Sequence, residues 1–203
     1  MKYRIFSAAL AMVIVALAQG AIEAQTANGN VPQDSVCKVP KDEIEVFAGF
    51  LKDKSIPQVK TVLVTETNAN DVDMDKNIQI LKIGKHEIPS EMPSDFNSKN
   101  DSSCLIGHFG GVKNLNFISK AEEDRLFQTG SDEFHKKYGG DALIVTFSRV
   151  GFNSDKTLAF LHVSVGVDHV AGSGTLYLLK RNGGTWTIAL KVEITLSPGN
   201  GHP

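Results

Sequence analysis

Apolar and polar positions alternate with period two through the last third of the chain, and this is its strongest pattern. Leu143, Val145 and Phe147 alternate with Ile144, Thr146 and Ser148. Ala159, Leu161, Val163 and Val165 follow after a turn at Asn153-Ser154-Asp155. Residues 175–179 form a third run. In the fourth, Trp186, Ile188, Leu190, Val192, Ile194 and Leu196 alternate with Thr187, Ala189, Lys191, Glu193 and Thr195. Successive side chains of a strand point to opposite faces, so each run reads as a strand with one apolar and one more polar face. Asn182-Gly183-Gly184 supplies a tight hairpin turn, and residues 166–174 a longer connection. The pattern predicts a C-terminal four-stranded antiparallel meander with one face buried.

Upstream the period changes. Ile44, Phe47, Ala48 and Leu51 recur at helical spacing, with Asp42 and Glu43 in the first turn and Lys52 in the last, which suits the helix dipole. Ser119-Lys120-Ala121-Glu122 has the form of a capping box, with Leu126 and Phe127 one turn on. A short helix is expected over residues 132–138, with Phe134 and Tyr138 on one face and Gly139 as its stop. The β-branched runs at 59–65 and 78–83 read as strands. Residues 91–111 are rich in Pro, Ser, Asp and Asn and read as an irregular connection. Helices first and antiparallel strands afterwards give the α+β class, with the N-terminal helices laid on the apolar face of the sheet.

The first residues belong to another kind of segment. Lys2 and Arg4 precede an apolar run from Ile5 to Ala18, and Gly20, Ala21 and Ala24 follow, in the order of a secretory signal peptide. The run is about 14 residues, short of the roughly 20 that span a bilayer. The domain reading is therefore a signal peptide over 1–24 cleaved between Ala18 and Gln25, a flexible polar arm over 25–39, one α+β domain over 40–197 and a disordered tail over 198–203. Export to the periplasm or the medium follows. Cys37 and Cys104 are the two cysteines, and an even count in an oxidising compartment predicts a disulfide between them. Closing a loop of about 67 residues stabilises a fold by roughly 4 kcal/mol in the chain-entropy picture. A formal net charge of −2 without a Lys/Arg cluster argues against a nucleic-acid partner and against membrane attachment once the leader is removed.

Candidate chemistry is sparse. Asp71, Asp73, Asp75 and Asn77 alternate as calcium ligands do, but Lys76 stands where that loop needs its sharp-turn Gly and Lys82 where it needs its bidentate Glu. His162, Ser164, Asp168 and His169 lie close together without the elbow or spacing of a nucleophile site, and Ser148 reads as a satisfied strand residue. The six His are scattered, which speaks against zinc, and Gly172-Ser173-Gly174 lacks the Lys and helix of a phosphate cradle. Neither a metal nor an organic cofactor is expected. Arg149, His162 and Tyr177 are the best ligand-binding candidates, on the premise that they share the polar sheet face and that this face is concave; the alternative is that Arg149 pairs with a carboxylate such as Glu193 and Tyr177 packs with its hydroxyl at the rim.

The run Ser148-Arg149-Val150-Gly151-Phe152-Asn153, followed by Lys156, Ala159, Gly172-Ser173-Gly174, Leu178, Gly184, Trp186 and Ile188, resembles the C-terminal part of a family of uncharacterised exported bacterial proteins. Such families often carry Cys in the Gly-rich connection, where this chain has Val167-Asp168-His169-Val170-Ala171. The order of elements and the Gly184-Thr185-Trp186-Thr187-Ile188 ending also resemble ketosteroid-isomerase-like or cystatin-like rolls, which host enzymes and binding modules alike. The expectation drawn from all of this is an exported, non-catalytic module of the cell envelope that binds a small molecule or an envelope protein. The competing expectation is a hydrolase or isomerase with a pocket in a curved sheet and His162 or His169 as base.

Overall fold

The computed structural model describes residues 37–56, 59–67, 88–129, 131–166 and 172–194, and among them are seven strands and four helices. In chain order these are α1 (Lys41–Lys52), β1 (Thr61–Val64), α2 (Glu91–Lys99), β2 (Leu115–Ile118), α3 (Lys120–Thr129), α4 (Ser131–Tyr138), β3 (Leu143–Phe147), β4 (Gly151–Phe152), β5 (Leu158–Gly166), β6 (Gly172–Asn182) and β7 (Thr185–Ile194). The sheet runs β2-β1-β3-β5-β6-β7, with the two-residue β4 paired to β5 at Phe160 and Ala159. The class is α+β, as the pattern predicts. The sheet is wider than the expected four strands, and it is mixed. Strands β3, β5, β6 and β7 are antiparallel neighbours, whereas β1 pairs in parallel with both β2 and β3. Parallel neighbours need a crossover connection. Helices α3 and α4 supply the one from β2 to β3.

Both faces of the sheet are buried, which corrects the expectation of one apolar and one polar face. On one face α1 places Val46, Phe47, Phe50 and Leu51 against Leu63, Val145, Phe147, Leu161, Val163 and Leu179. Phe47 stacks on Phe147 at 4.7 Å between ring centroids, and Phe50 meets Phe147 and Tyr177 edge-on. On the other face Met92 and Phe96 of α2 cover Phe160, Leu176 and Leu178. Further along that face, Leu126, Phe134 and Tyr138 of α3 and α4 cover Val62, Val64 and Ile144. The final strand departs from its simple alternation because a bulge shifts the register, so that Leu178 pairs with Leu190 but Leu179 with Ile188. An extra residue turns the rest of a strand over. Trp186 and Ile188 therefore join the α1 side, and Leu190, Val192 and Ile194 the α2 side.

Helix α2 falls where the composition reads as irregular chain. Its Met92 and Phe96 are fully buried at i and i+4, and Pro93 sits in the first turn, where its missing N–H has no intrahelical partner to lose. Helices α1, α3 and α4 stand where expected. At α3 the Ser119 hydroxyl accepts from the Glu122 N–H at 3.1 Å, while the Glu122 carboxylate is held instead by Arg125 and Lys137. The disulfide between Cys37 and Cys104 is present, with the Cα atoms 4.7 Å apart. Beside it Val39 donates to the Leu105 carbonyl and Leu105 to that of Cys37, so residues 37–39, read from sequence as arm, run alongside Leu105.

Candidate functional site

The segment between β3 and β5 carries a dense set of side-chain hydrogen bonds. It leaves β3 at Phe147, runs through Ser148, Arg149 and Val150 into β4, and turns at Asn153. The turn is self-capped: the Asn153 side-chain oxygen accepts from the N–H groups of Thr157 and Leu158, at 2.9 and 2.8 Å. Two helices bring carboxylates to this segment. From α1, Glu43 accepts from Arg149 Nε and Nη2 at 2.8 and 2.7 Å and from the Val150 N–H at 3.0 Å. From α2, Asp95 accepts from the Phe152 N–H at 2.7 Å and Glu91 from the Ser154 hydroxyl at 3.0 Å.

Behind the segment lies a buried polar seam. Glu43 is 1% exposed and Arg149 8%, so the pair has little water to share its charge with. The remaining Arg149 nitrogen, Nη1, reaches the Cys104 sulfur at 2.7 Å and the Cys37 sulfur at 3.6 Å. Its hydrogen bonds to Glu43 push the Arg149 guanidinium above its ordinary value and outweigh burial, so it stays a cation. Asn100 at the end of α2 accepts from the Arg149 N–H at 2.7 Å and donates to the Arg149 carbonyl. The Ser148 hydroxyl donates to that same carbonyl and accepts from the His162 N–H at 2.9 Å.

In front of the segment a shallow cleft of about 300 Å³ opens to solvent between α2 and the β4–β5 turn. Its floor is Phe152, with the ammonium groups of Lys99 and Lys156 over the ring at 4.9 and 5.6 Å from its centroid. Lys99 also pairs with Asp95 at 2.8 Å, and Lys156 with Asp42 of α1 at 2.6 Å. The Asp42 hydrogen bond raises the Lys156 ammonium above its ordinary value. Partial burial pushes Asp42 up, but the Lys156 hydrogen bond and charge prevail and hold its carboxyl below the ordinary 3.8. Glu91, Asn153 and Ser154 complete the wall. The cleft thus offers both signs of charge and hydroxyl and amide groups around one aromatic ring.

The three ligand-binding candidates read from sequence do not come together. Arg149 lies in the seam, paired with Glu43 and not with Glu193. His162 is 2% exposed on the α2 side of β5, beside Leu176 of β6. Tyr177 lies on the α1 side, edge-on to Phe50, where burial raises its phenol above the ordinary 10.0. The shared polar face fails because neither face is polar. Residues 71–77, Asp168, His169, His86 and His202 lie outside the described residues. Among the described residues, no three of His, Cys, Asp and Glu gather as a metal ion would require. Sequence reasoning missed Glu43, Asn100, Lys99 and Lys156 as members of one region. The available signal was Glu43, an acid at an otherwise apolar-facing position of α1. Compared with family models, curated proteins and solved structures, the chain finds no match.

Proposed function

We propose that this chain is an exported, non-catalytic binding module of the cell envelope. Its cleft between α2 and the β4–β5 turn receives a polar small molecule or a polar segment of another envelope protein. One observation carries this reading. The groups best suited to chemistry, Glu43, Arg149 and Ser148, are engaged in buried pairings that hold the fold together, while the cleft that remains is shallow and open. Catalysis by preorganised charge needs a site that excludes water, and an open groove floored by one ring does not provide that. A groove with two cations, two carboxylates and a hydroxyl around an aromatic ring suits recognition of a polar partner by several weak contacts. Buried placement of His162 speaks against it as a general base, since a base must reach the substrate proton.

The test is native mass spectrometry of the full chain after expression and recovery from periplasm and medium. The expected result is a product cleaved between Ala18 and Gln25 that retains a bound small molecule or protein. A double variant, Lys99→Ala with Lys156→Ala, should release that partner while Trp186 fluorescence is unchanged. An uncleaved, membrane-held chain, or retention undiminished in the double variant, would overturn the reading.

A further inference from the structure

The two sulfurs of the disulfide stand in unlike surroundings. Cys37 is an exposed residue with its sulfur 3.6 Å from Arg149 Nη1, whereas Cys104 is 2% exposed with its sulfur 2.7 Å from that same nitrogen. Thiol–disulfide exchange is attack by a thiolate on one sulfur with departure of the other, and it is fastest when the attacked sulfur is accessible and the departing one is stabilised as an anion. A guanidinium beside a sulfur favours its thiolate form.

We propose that the Cys37–Cys104 disulfide is a site of thiol exchange with a fixed direction: an external thiolate attacks Sγ of Cys37, and Cys104 departs as a thiolate held by Arg149. In this step a bond forms between the incoming sulfur and Cys37 Sγ, and the bond between Cys37 and Cys104 breaks. The negative charge passes from the incoming thiolate to Cys104, so no net oxidation occurs and the product is a mixed disulfide on Cys37. Attack by a second thiolate on the incoming sulfur then releases the external disulfide. Cys37 takes a proton from water, and the protein has gained two electrons from two thiols. The reductant is any soluble thiol or dithiol of the compartment.

Arg149 is suited to the role because Glu43 occupies Nε and Nη2 and leaves Nη1 directed at sulfur. Glu43 and Asn100 also fix the guanidinium and its backbone, so the donor is in place before the anion forms. Cys37 is held beside the body of the protein through the backbone pairs to Leu105, itself 41% exposed. Attack there requires no disruption of the sheet. The inference stands apart from the cleft and does not depend on its ligand.

The folded protein is incubated with glutathione, quenched with acid, alkylated and mapped by peptide mass. The expected adduct is on Cys37 with the alkyl group on Cys104, at a rate independent of sub-denaturing urea and with Trp186 fluorescence retained. In the protein blocked at Cys37, thiolate absorbance near 240 nm should show Cys104 titrating below about 8.5, the value for a free cysteine. Arg149→Gln should slow exchange by roughly tenfold by removing the stabilised leaving group, with Arg149→Lys restoring part of it. An adduct on Cys104, equal adducts on both sulfurs, exchange only as Trp186 fluorescence is lost, or a Cys104 thiol at or above 8.5 would each overturn the proposal. The first and last readouts need no substitution, so a poorly folding Arg149 variant leaves the test intact.

Discussion

At the scale of single residues, the weight of the structure falls on Glu43. Its carboxylate meets Arg149 twice and the Val150 N–H once, all with almost no solvent. Asp42, its neighbour, makes an ion pair of similar length with Lys156 in the open. Exposure separates the two energetically. Removing one partner of a buried pair strands a charge and costs about 3–5 kcal/mol, whereas exposed pairs contribute about 0–1 kcal/mol. Glu43→Gln, which keeps the shape and removes the charge, should lower the urea midpoint of unfolding far more than Asp42→Asn does, with the denaturant slope unchanged. Equal midpoints for the two variants would show that the seam is not what holds α1 to the β3–β4 segment. Gly151 shows the same economy of space, since a Cβ there would lie 2.6 Å from Phe96 Cβ and 2.9 Å from the Phe96 N. The Arg149-Val150-Gly151-Phe152 run thus has a steric and an electrostatic reason to be as it is.

At the scale of elements, α2 is the instructive case. Of its nine residues only Met92, Pro93 and Phe96 are buried, and Ser, Asp and Asn occupy much of the rest. Local propensity for such a sequence is weak, so its helix depends on what lies beneath and beyond it. Phe96 sits on Phe160, Leu176 and Leu178; Lys99 reaches the Val150 carbonyl at 3.1 Å; and Asn100 binds Arg149. Phe96→Ala should cost about 3–5 kcal/mol and abolish amide-exchange protection across Glu91–Lys99 before the sheet is affected. Protection lost in α2 and in β5 and β6 together would mean that the helix and sheet open as one unit. Helix α1 is anchored differently at its C-terminal end. There Asp53 accepts from the Ile188 N–H of the β7 edge at 3.0 Å, and Gly49 lets the helix approach Trp186.

At the scale of the whole molecule, the carboxylates held by hydrogen bonds set the response to acid. Hydrogen bonds from Arg125 and Lys137 hold Glu122 at about 2, against an ordinary 4.5. Asp155 is lowered by the Thr157 hydroxyl and backbone, and Glu91 by its own N–H and by Ser154. Asp53 is raised by burial, but the Ile188 and Ser55 bonds win and hold it below 3.8. For a carboxyl whose folded pKa is depressed, the stabilisation is fully present above the unfolded value and disappears as pH falls through the folded one. Thermal stability should therefore be level from neutral pH down to about 4.5 and decline steadily from there towards pH 2. Thermal melts monitored by Trp186 across that window would check it, and a decline beginning well above pH 4.5 would assign the sensitivity to other groups.

The sequence by itself determined the α+β class, helices α1, α3 and α4, the strands β3, β5 and β6 and the pairing of its two cysteines. These are written in local periodicity, in capping residues and in a count of sulfurs, and each needs only neighbours along the chain. Tertiary structure alone decided that β1 and β2 extend the sheet in parallel, that a bulge turns β7 over between Ile188 and Leu190, and that α2 is helical. It alone also decided that Arg149 faces Glu43, 106 positions away, and not Glu193. Strand order, bulges and long-range ion pairs are settled by which surfaces meet when the layers close. The expected grouping of Arg149, His162 and Tyr177 assumed one covered face; once helices cover both, those residues are divided between them and the polar groups of the β3–β5 segment come to lie together instead.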